Sequence, residues 1–313
     1  MVDDERQHQV SDLKSSDLFD LAGKVAVVTG GAGLLGQVFC QALATAGANV
    51  AIVDLDKKKA AEAATKINKA AKQKVLAVEC DIASPDSVSS MVKEVVNQLG
   101  RINILINNAA SKGSNLDQFF APFENYSLQT WREVMAVNID GQFLVAQSVG
   151  NQMKAQGGGS IIQVASIYGV VAPDQRIYKG SEYNGRAINT PAVYSVSKAA
   201  VLGLTSYLST YWADSKIRVN TLTPGGIASG QNSEFNNKYS NRVPLGRMGE
   251  ASELTGALIY LASDASSFAI TLESLIISGR VPTTVITFSL TIIICLFILF
   301  QNKYLGHLDH KIH

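Results

Sequence analysis

Tyr194 and Lys198 are four residues apart, so in a helix both side chains lie on one face. Such a helix is expected over residues 192–212. A free phenol has a pKa of about 10 and transfers protons poorly near neutral pH. A neighbouring ammonium favours the phenolate and lowers that pKa toward the working range. Ten tyrosines could produce this pair by chance, but Ser166 upstream and a glycine-rich turn near the N-terminus strengthen it.

The bulk composition excludes several classes of function. The formal net charge is +1, so no nucleic-acid surface is predicted. The three cysteines form neither a C-x-x-C pair nor an even disulfide framework, which favours a reducing compartment. The N-terminus lacks the apolar segment of a secretory signal, so a cytoplasmic location is expected. The body of the chain offers no histidine for a hydrolytic triad or an ordinary zinc site, because all four lie at the chain ends: His8, His307, His310 and His313.

A glycine-rich turn joins a predicted buried strand at residues 24–29 to a predicted helix at residues 34–46. The turn reads Thr29-Gly-Gly-Ala-Gly-Leu-Leu-Gly36. Strand, glycine turn and helix form the context of a dinucleotide-binding loop. Glycines let the backbone approach a pyrophosphate, which lies where the free N–H groups of a helix N-terminus point outward. The alternative is a tight turn without a ligand, which this context favours less.

Asp54 follows the second predicted strand and indicates which nicotinamide cofactor binds. An acidic side chain at this point accepts hydrogen bonds from the adenosine ribose hydroxyls and repels a 2′-phosphate, so NAD is favoured over NADP. Lys57, Lys58 and Lys59 could instead neutralise a phosphate. They also fit the solvated first turn of the helix predicted over residues 57–72.

Polar side chains lie at the C-terminal ends of three further predicted strands. Asp81 could hold the adenine amino group or serve as a loop carboxylate, and Asn107-Asn108 could line a cofactor cleft or form a turn. Ser166 follows the strand predicted over residues 160–165. Ligands of open parallel sheets bind at this carboxyl edge, so Ser166 is placed for chemistry, although serine is also common in loops.

Three other segments carry candidate residues. A long helix is predicted over residues 128–154, and its Asn138 is either functional or simply an outward-facing polar residue. An insert at about residues 170–190 exceeds an ordinary strand–helix loop and is either substrate-facing or a surface flap. The polar run at residues 229–242 is predicted to form a mobile lid. Donors and acceptors in the insert are Arg176, Tyr178, Glu182, Tyr183 and Asn184.

With these residues assembled, the chain resembles the short-chain dehydrogenase/reductase family over roughly residues 23–279. The resemblance implies a single α/β domain at residues 21–280, a Rossmann-type doubly wound parallel sheet with helices on both faces. A polar arm at residues 1–20 precedes it. The motifs that match in order and spacing are Thr29 to Gly36, Asp81, Asn107 to Ala110, Asn138, Ser166, Tyr194 with Lys198, and Pro224-Gly225.

The resemblance also implies roles. Tyr194 would be the general acid/base, and Ser166 would position the substrate carbonyl or hydroxyl. Lys198 would lower the tyrosine pKa and hold the nicotinamide ribose, and Asn138 would support a water-linked proton path. Substrate contacts are expected from Ser166, Arg176, Tyr178, Tyr183 and Tyr194. Cofactor contacts are expected from Thr29, Gly30, Gly33, Leu35, Gly36, Asp54, Asp81, Ile82, Asn108, Ala109, Tyr194, Lys198, Pro224, Gly225 and Ile227.

The chain departs from the family pattern in two places before its end. Leu34 occupies the position of the usual middle glycine of the turn, with Gly33 one residue earlier, and the turn is expected to survive because the outer glycines are kept. The insert lengthens the gap between Ser166 and Tyr194. Together with Ser166-Ile-Tyr-Gly169, it looks like members associated with bacterial sugar and flagellin-glycan modification.

The C-terminal end departs most. Residues 271–280 are a degraded version of the family's closing strand and turn, and residues 281–313 form an atypical tail. Residues 281–300 carry no charge and are long enough for a single membrane span. A β segment or an altered reading frame fits as well. A membrane anchor at this end is therefore a possible addition to the cytoplasmic expectation, and the family implies a homodimer or homotetramer.

The expected function is reversible hydride transfer between nicotinamide and a secondary alcohol or ketone, on a sugar, polyol or related polar small molecule. A first alternative is 3-oxoacyl thioester reduction, which would favour NADP. A second is a nucleotide-binding protein of this fold that has lost catalysis.

Overall fold

A parallel sheet runs through the centre of the molecule. The computed structural model describes residues 15–183, 185–269 and 275–277. The strand order in the sheet is β3-β2-β1-β4-β5-β8-β9, while β6 and β7 form a separate antiparallel hairpin. The strands are β1 (Val25–Thr29), β2 (Asn49–Asp54), β3 (Val75–Glu79), β4 (Ile104–Asn107), β5 (Gly159–Val164), β6 (Glu182–Tyr183), β7 (Arg186–Ala187), β8 (Ile217–Pro224) and β9 (Leu275–Ile277).

Helices cover both faces of this sheet. The longer ones are α1 (Leu34–Thr45), α2 (Lys57–Ala70), α3 (Pro85–Leu99), α4 (Leu128–Met135), α5 (Gln142–Ala155), α6 (Ala192–Tyr211), α7 (Ser233–Ser240) and α8 (Thr255–Ala262). Four-residue helices at Ser15–Leu18 and Leu116–Phe119 and several 3₁₀ turns complete the described elements. The predicted fold class, a doubly wound Rossmann-type sheet, is confirmed.

The alternation of side chains along each strand builds two cores. In β1, Ala26 and Val28 face a cluster formed with α1, α2 and α8, whereas Val25 and Val27 face a cluster formed with α3, α5 and α6. All five residues of β1 are buried, because both faces of a parallel sheet are covered. The buried apolar strands thus hold the carboxyl edge of the sheet, where the polar residues follow, in a fixed position.

The strand order reverses direction between β1 and β4, which are neighbours in the sheet although β2 and β3 lie between them in sequence. Crossovers from these two strands leave toward opposite sides, which opens a crevice at their carboxyl ends. The sequence-predicted glycine turn and the Asn107-Asn108 pair lie at this crevice. Ligands of this architecture bind at such a switch point.

The long helix predicted over residues 128–154 is present but is not regular. Residues Ala136–Gly141 between α4 and α5 are π-helical, and this segment contains Asn138. Asn138 is 1% exposed, so the interpretation of it as an outward-facing polar residue is wrong. A π-helical turn re-aims the side chains it carries and is frequent at functional sites.

The insert and the predicted lid pack on each other. The insert contains the 3₁₀ turn Gln175–Tyr178 and the hairpin β6–β7, and the lid region contains α7. Tyr178 of the insert stacks on Phe235 of α7 with ring centroids 5.6 Å apart. A backbone bridge between Tyr183 and Gln231 joins the two segments again. The run at residues 229–242 therefore includes a helix with a buried aromatic face.

The described residues include only part of each chain end. Of the predicted polar arm, residues 15–20 are described and include one short helix, Ser15–Leu18. Within the described part of the chain, no helix combines the length and the apolar character needed to cross a membrane. The apolar run 281–300, and with it the proposed span and tail, lies outside the described residues.

Candidate active site

A cleft of about 740 Å³ opens at the carboxyl edge of the sheet. It extends from the glycine turn to the insert and the lid region. The sequence-predicted residues that line it are Gly30, Gly33, Leu35, Gly36, Asp54, Asp81, Ile82, Asn108, Ala109, Ser166, Tyr178, Tyr183, Tyr194, Lys198, Pro224, Gly225 and Ile227. Three predicted site residues, Thr29, Asn138 and Arg176, do not line it.

The glycine turn has the shape that a dinucleotide requires. Gly30 has φ +61°, and a Cβ there would lie 2.9 Å from the Cα of Ala109. A Cβ on Gly36 would overlap the carbonyl oxygen of Gly30. Glycine at both positions lets the turn pack tightly against its neighbours. The first backbone N–H groups of α1 have no intrahelical partner and can bind a ligand there. The cradle fits the pyrophosphate of a nicotinamide dinucleotide.

Leu34 does not disturb this cradle. It begins α1 with its side chain 55% exposed, and its φ is not positive. The position that a middle glycine usually takes therefore has no conformational need for glycine in this chain. The expectation that the turn survives is confirmed.

Asp54 lies at the cleft wall where β2 ends. Its Oδ2 accepts a hydrogen bond of 3.0 Å from the backbone N–H of Ala32, and its Oδ1 accepts one of 3.1 Å from that of Asp56. These bonds fix the carboxylate beside the glycine turn, and its remaining lone pairs can accept ribose hydroxyls. Asp81 and Ile82 line the same part of the cleft after β3.

Thr29 and Asn108 tie the glycine turn to β4. The Thr29 hydroxyl accepts hydrogen bonds from the backbone N–H groups of Asn108 and Ala109, and donates to Asn107 Oδ1. The Asn108 side-chain amide donates to the carbonyl oxygens of Thr29 and Gly30, at 3.0 and 3.3 Å. Thr29 is 0% exposed, so its expected cofactor contact is corrected to a structural role.

Ser166 and Tyr194 meet in the cleft. Ser166 follows β5, and its hydroxyl accepts from the N–H of Tyr168 to start the 3₁₀ turn Ile167–Gly169. A hydrogen bond from the Ser166 side chain lowers the pKa of Tyr194, while burial raises it more, so the net pKa lies above the ordinary value. The nearby phenols of Tyr178 and Tyr239 raise it further.

Lys198 is one turn beyond Tyr194 on α6 and is 4% exposed. Its Nζ donates a hydrogen bond of 2.8 Å to the carbonyl oxygen of Val164. Burial lowers the pKa of its amine to about 8. The lowering of the Tyr194 pKa by this ammonium stays a prediction.

Asn138 does not line the cleft. Its side chain holds the loop after β4. Its Oδ1 accepts a hydrogen bond of 2.7 Å from the N–H of Ser111, and its Nδ2 donates to the Ser197 hydroxyl at 3.4 Å. Ser197 in turn donates to the carbonyl oxygen of Tyr194 at 2.8 Å. The asparagine side chain therefore links the β4 loop to the first turn of α6, which carries Tyr194.

Two of the three substrate residues predicted in the insert line the cleft. The Tyr178 hydroxyl bonds Thr190 at 2.5 Å and Tyr168 at 3.2 Å, and Tyr183 lines the cleft from β6. Arg176 is wrongly predicted. Its side chain is 83% exposed and pairs with Asp174 at 2.6 Å, away from the cleft.

Several lining residues were not found from the sequence. Lys112 follows β4 in the predicted edge loop, and its position three residues after Ala109 was the only available signal. Tyr239 lies in the polar run at residues 229–242, and its four-residue spacing from Phe235 could have revealed an inward face. Thr190 carries no pattern that marks it, and Tyr168 was noted only as part of Ser166-Ile-Tyr-Gly169, without a role in the cleft.

The chain is similar to known oxidoreductases. The family described as Enoyl-(Acyl carrier protein) reductase matches residues 32–279. A D-threitol dehydrogenase of Mycolicibacterium smegmatis is 33% identical over 270 residues, covering 83% of this chain and 93% of that protein. An NAD-dependent glycerol dehydrogenase of Listeria innocua is 32% identical, covering 83% and 94%. The structure of a gluconate 5-dehydrogenase from Burkholderia cenocepacia, in complex with NADP and tartrate, matches with a TM-score of 0.73 and 31% identity, covering 85% and 98%.

Proposed function

The chain belongs to the short-chain dehydrogenase/reductase family, and from this premise we propose that it interconverts a secondary alcohol and a ketone on a sugar or polyol. The observation that carries the proposal is the meeting of Ser166, Tyr194 and Lys198 in one cleft with the glycine cradle. Relatives named for threitol, glycerol and gluconate support a small polyhydroxylated substrate.

A nicotinamide dinucleotide, when bound, supplies or accepts the hydride at the substrate carbon. Tyr194 gives its phenolic proton to the substrate oxygen during reduction and takes the hydroxyl proton during oxidation. Ser166 donates a hydrogen bond to the same oxygen and stabilises the charge that develops there. Lys198 would hold the nicotinamide ribose through its amine, which is already fixed at the end of β5.

We propose NAD as the preferred cofactor. The Asp54 carboxylate at the cleft wall supports this preference, because it repels a 2′-phosphate. Two of the three nearby lysines, Lys57 and Lys59, are consistent with it. Lys57 pairs with Glu79 at 3.7 Å and Lys59 with Asp56 at 2.9 Å, so both charges already have acidic partners.

Absorbance at 340 nm tests the proposal. The protein is incubated with NAD or NADP and a panel of alditols, aldonates and simple secondary alcohols, and with the matching ketones in the reverse direction. We expect turnover of at least one polyol, with kcat/KM higher for NAD. Turnover confined to a 3-oxoacyl thioester with NADPH would replace the polyol assignment, and this substrate is included because it is the first alternative given by the sequence.

A protein that binds nucleotide without catalysis is the second candidate. It predicts saturable binding of NAD(H) in a fluorescence titration and no absorbance change with any substrate. The shared cleft of Ser166, Tyr194 and Lys198 favours the enzyme over this candidate.

We also propose that the protein forms a homodimer or homotetramer. Val196, Tyr207 and Tyr211 recur at helical spacing on α6 and are 44%, 62% and 64% exposed. An exposed apolar stripe of this kind on a long helix favours contact with a second protein surface. Light scattering coupled to size-exclusion chromatography measures the mass, and a monomer at micromolar concentration would contradict this part.

A further inference from the structure

Lys112 has its backbone fixed on both sides. The N–H of Ser111 donates to Asn138 Oδ1 at 2.7 Å, and the N–H of Gly113 donates to the Ser111 hydroxyl at 2.9 Å. Gly113 has φ +76°, which this tight turn requires. The loop that presents Lys112 is therefore held by buried Asn138, one of the residues of the π-helical segment.

The side chain of Lys112 is also positioned. Its Nζ lies 4.3 Å from the ring centroid of Tyr183, at the mouth of the cleft where both residues line the wall. The hairpin pairing with Arg186 and a backbone bridge to Gln231 hold Tyr183 in turn. Much of the entropy of ordering this long side chain is therefore lost before any ligand binds.

The ammonium of Lys112 has no acidic partner among the described residues. No carboxylate in that part of the chain lies within 4.0 Å of it. Two acidic groups on flanking elements are bound elsewhere: Glu133 by Ser114 and Gln129, and Asp117 by Arg186. Lys112 is an exposed residue, yet partial desolvation of its amine lowers the pKa of that amine below the ordinary value.

The charges in the cleft wall are separated by sign. The acidic residues among the described lining are Asp54 and Asp81, which follow β2 and β3 at the end where the adenosine is expected. The basic ones are Lys198, whose amine is bonded to Val164, and Lys112 beside the insert. The substrate end of the cleft is therefore positively charged. Lys112 is the cation there that has no hydrogen-bonded partner among the described groups.

We propose that Lys112 binds an anionic group on the substrate, a carboxylate or a phosphate, so that the preferred substrates are acidic polyols such as aldonates or polyol phosphates. This inference rests on the proposed function, because it names the substrate class of the same cleft. An ammonium held over an aromatic face binds an anion by a charge-assisted hydrogen bond with little rearrangement. Tyr183 acts as the positioning residue for Lys112.

Calorimetric titration tests this inference without needing turnover. The NADH-saturated protein, which cannot transfer a hydride to an alcohol, is titrated with sorbitol, gluconate and sorbitol 6-phosphate, which share a six-carbon chain and differ in charge. We expect gluconate or sorbitol 6-phosphate to bind at least about tenfold more tightly than sorbitol. Whichever acid binds more tightly identifies the preferred anionic group as a carboxylate or a phosphate. Equal affinity for all three, or no binding of either acid, would overturn the inference.

Variants assign the preference to Lys112. In Lys112→Met the advantage of the acid over sorbitol should fall about tenfold or more, and Lys112→Arg should restore most of it. Lys154→Met, an exposed lysine of α5 outside the cleft, removes the same charge and should keep the advantage. An equal loss for acid and sorbitol in Lys112→Met would show a structural role only. Failure of the proposed function is separate, because it appears as absent turnover at 340 nm and not as lost charge preference.

Discussion

The amine of Lys198 lies 2.8 Å from the carbonyl oxygen of Val164, the last residue of β5. Val164 precedes Ser166 by two residues, so one strand end carries the serine and holds the lysine. Tyr194 is one helical turn away from Lys198 on α6. The three proposed catalytic side chains are therefore positioned relative to each other by one contact between a strand and a helix. The packing of α6 against β5 sets the geometry of the reaction.

Tyr194→Phe removes the proposed proton donor and leaves the ring that packs beside Val193 and Phe119. We expect kcat to fall by about 100- to 10,000-fold, the usual contribution of general acid–base catalysis. The dissociation constant of NADH should change by less than about threefold, since one hydrogen bond at most is lost. Rates at 340 nm and a fluorescence titration measure the two quantities. Tyr211→Phe on the exposed side of the same helix is the control, and retained turnover in the Tyr194 variant would remove the central assignment.

Ser166→Ala should shift the pH dependence of alcohol oxidation. Oxidation needs the Tyr194 phenolate, and the serine hydrogen bond lowers the Tyr194 pKa, so its loss raises that pKa. The pH at which kcat/KM rises should therefore be higher by about 0.5–1 unit, and the rate should also be lower. Ser166→Thr keeps a hydroxyl and should restore the original position of the rise. A rate that falls equally at every pH would argue against the coupling.

The fold and much of the cleft could be predicted because their signals are local. Buried strands ending in Asp54, Asn107 and Ser166 are read from apolar runs followed by polar residues, and the glycine turn is read from sequence spacing. The π-helical turn that buries Asn138 has no such signal, because it depends on packing against Ser111 and Ser197.

Charged side chains at the cleft were predicted less well. Arg176 binds Asp174 of its own segment, a local competition that the sequence did not reveal. Lys112 was missed because its importance depends on Tyr183, which is distant in sequence and reaches it through the insert. The contact between the Lys198 amine and the carbonyl oxygen at the end of β5 was not predicted. The partners of Lys112 and Lys198 are set by tertiary contacts that one sequence does not fix.

Gly36→Ala and Leu34→Ala form a matched pair within the glycine turn. A Cβ at Gly36 would overlap the Gly30 carbonyl oxygen, so the turn must open, and the free energy of unfolding should fall by about 1–3 kcal/mol. NAD affinity should fall at least about tenfold with it. The Leu34 side chain is exposed, so its truncation should change stability by no more than about 0.5 kcal/mol. A larger loss of NAD affinity from Leu34→Ala than from Gly36→Ala would show that the leucine, rather than the tight turn, holds the cofactor.

Asp54→Asn should relax the choice between cofactors. The amide keeps one oxygen to accept from Ala32 or Asp56 but removes the negative charge that repels a 2′-phosphate. The ratio of kcat/KM for NADP to that for NAD should rise about tenfold, the effect of one weakened like-charge contact of about 1.4 kcal/mol. Asp86→Asn, exposed on α3 outside the cleft, controls for net charge. An unchanged ratio, or a wild-type protein that already prefers NADP, would contradict the role of Asp54.

Lys198→Met should change how stability depends on pH. Burial lowers the pKa of the lysine from 10.5 to about 8 in the folded protein, so between these values the unfolded chain binds more protons than the folded one. The free energy of unfolding of the wild type therefore rises with pH in this window, by up to about 1.4 kcal/mol per pH unit, and methionine removes that contribution. Urea unfolding at pH 7.5 and pH 10 should show the stability of the wild type, relative to the variant, increasing by about 2 kcal/mol. Lys154→Met, an exposed lysine, should show no such change, and a flat difference for Lys198→Met would mean that the amine is not desolvated in the folded protein.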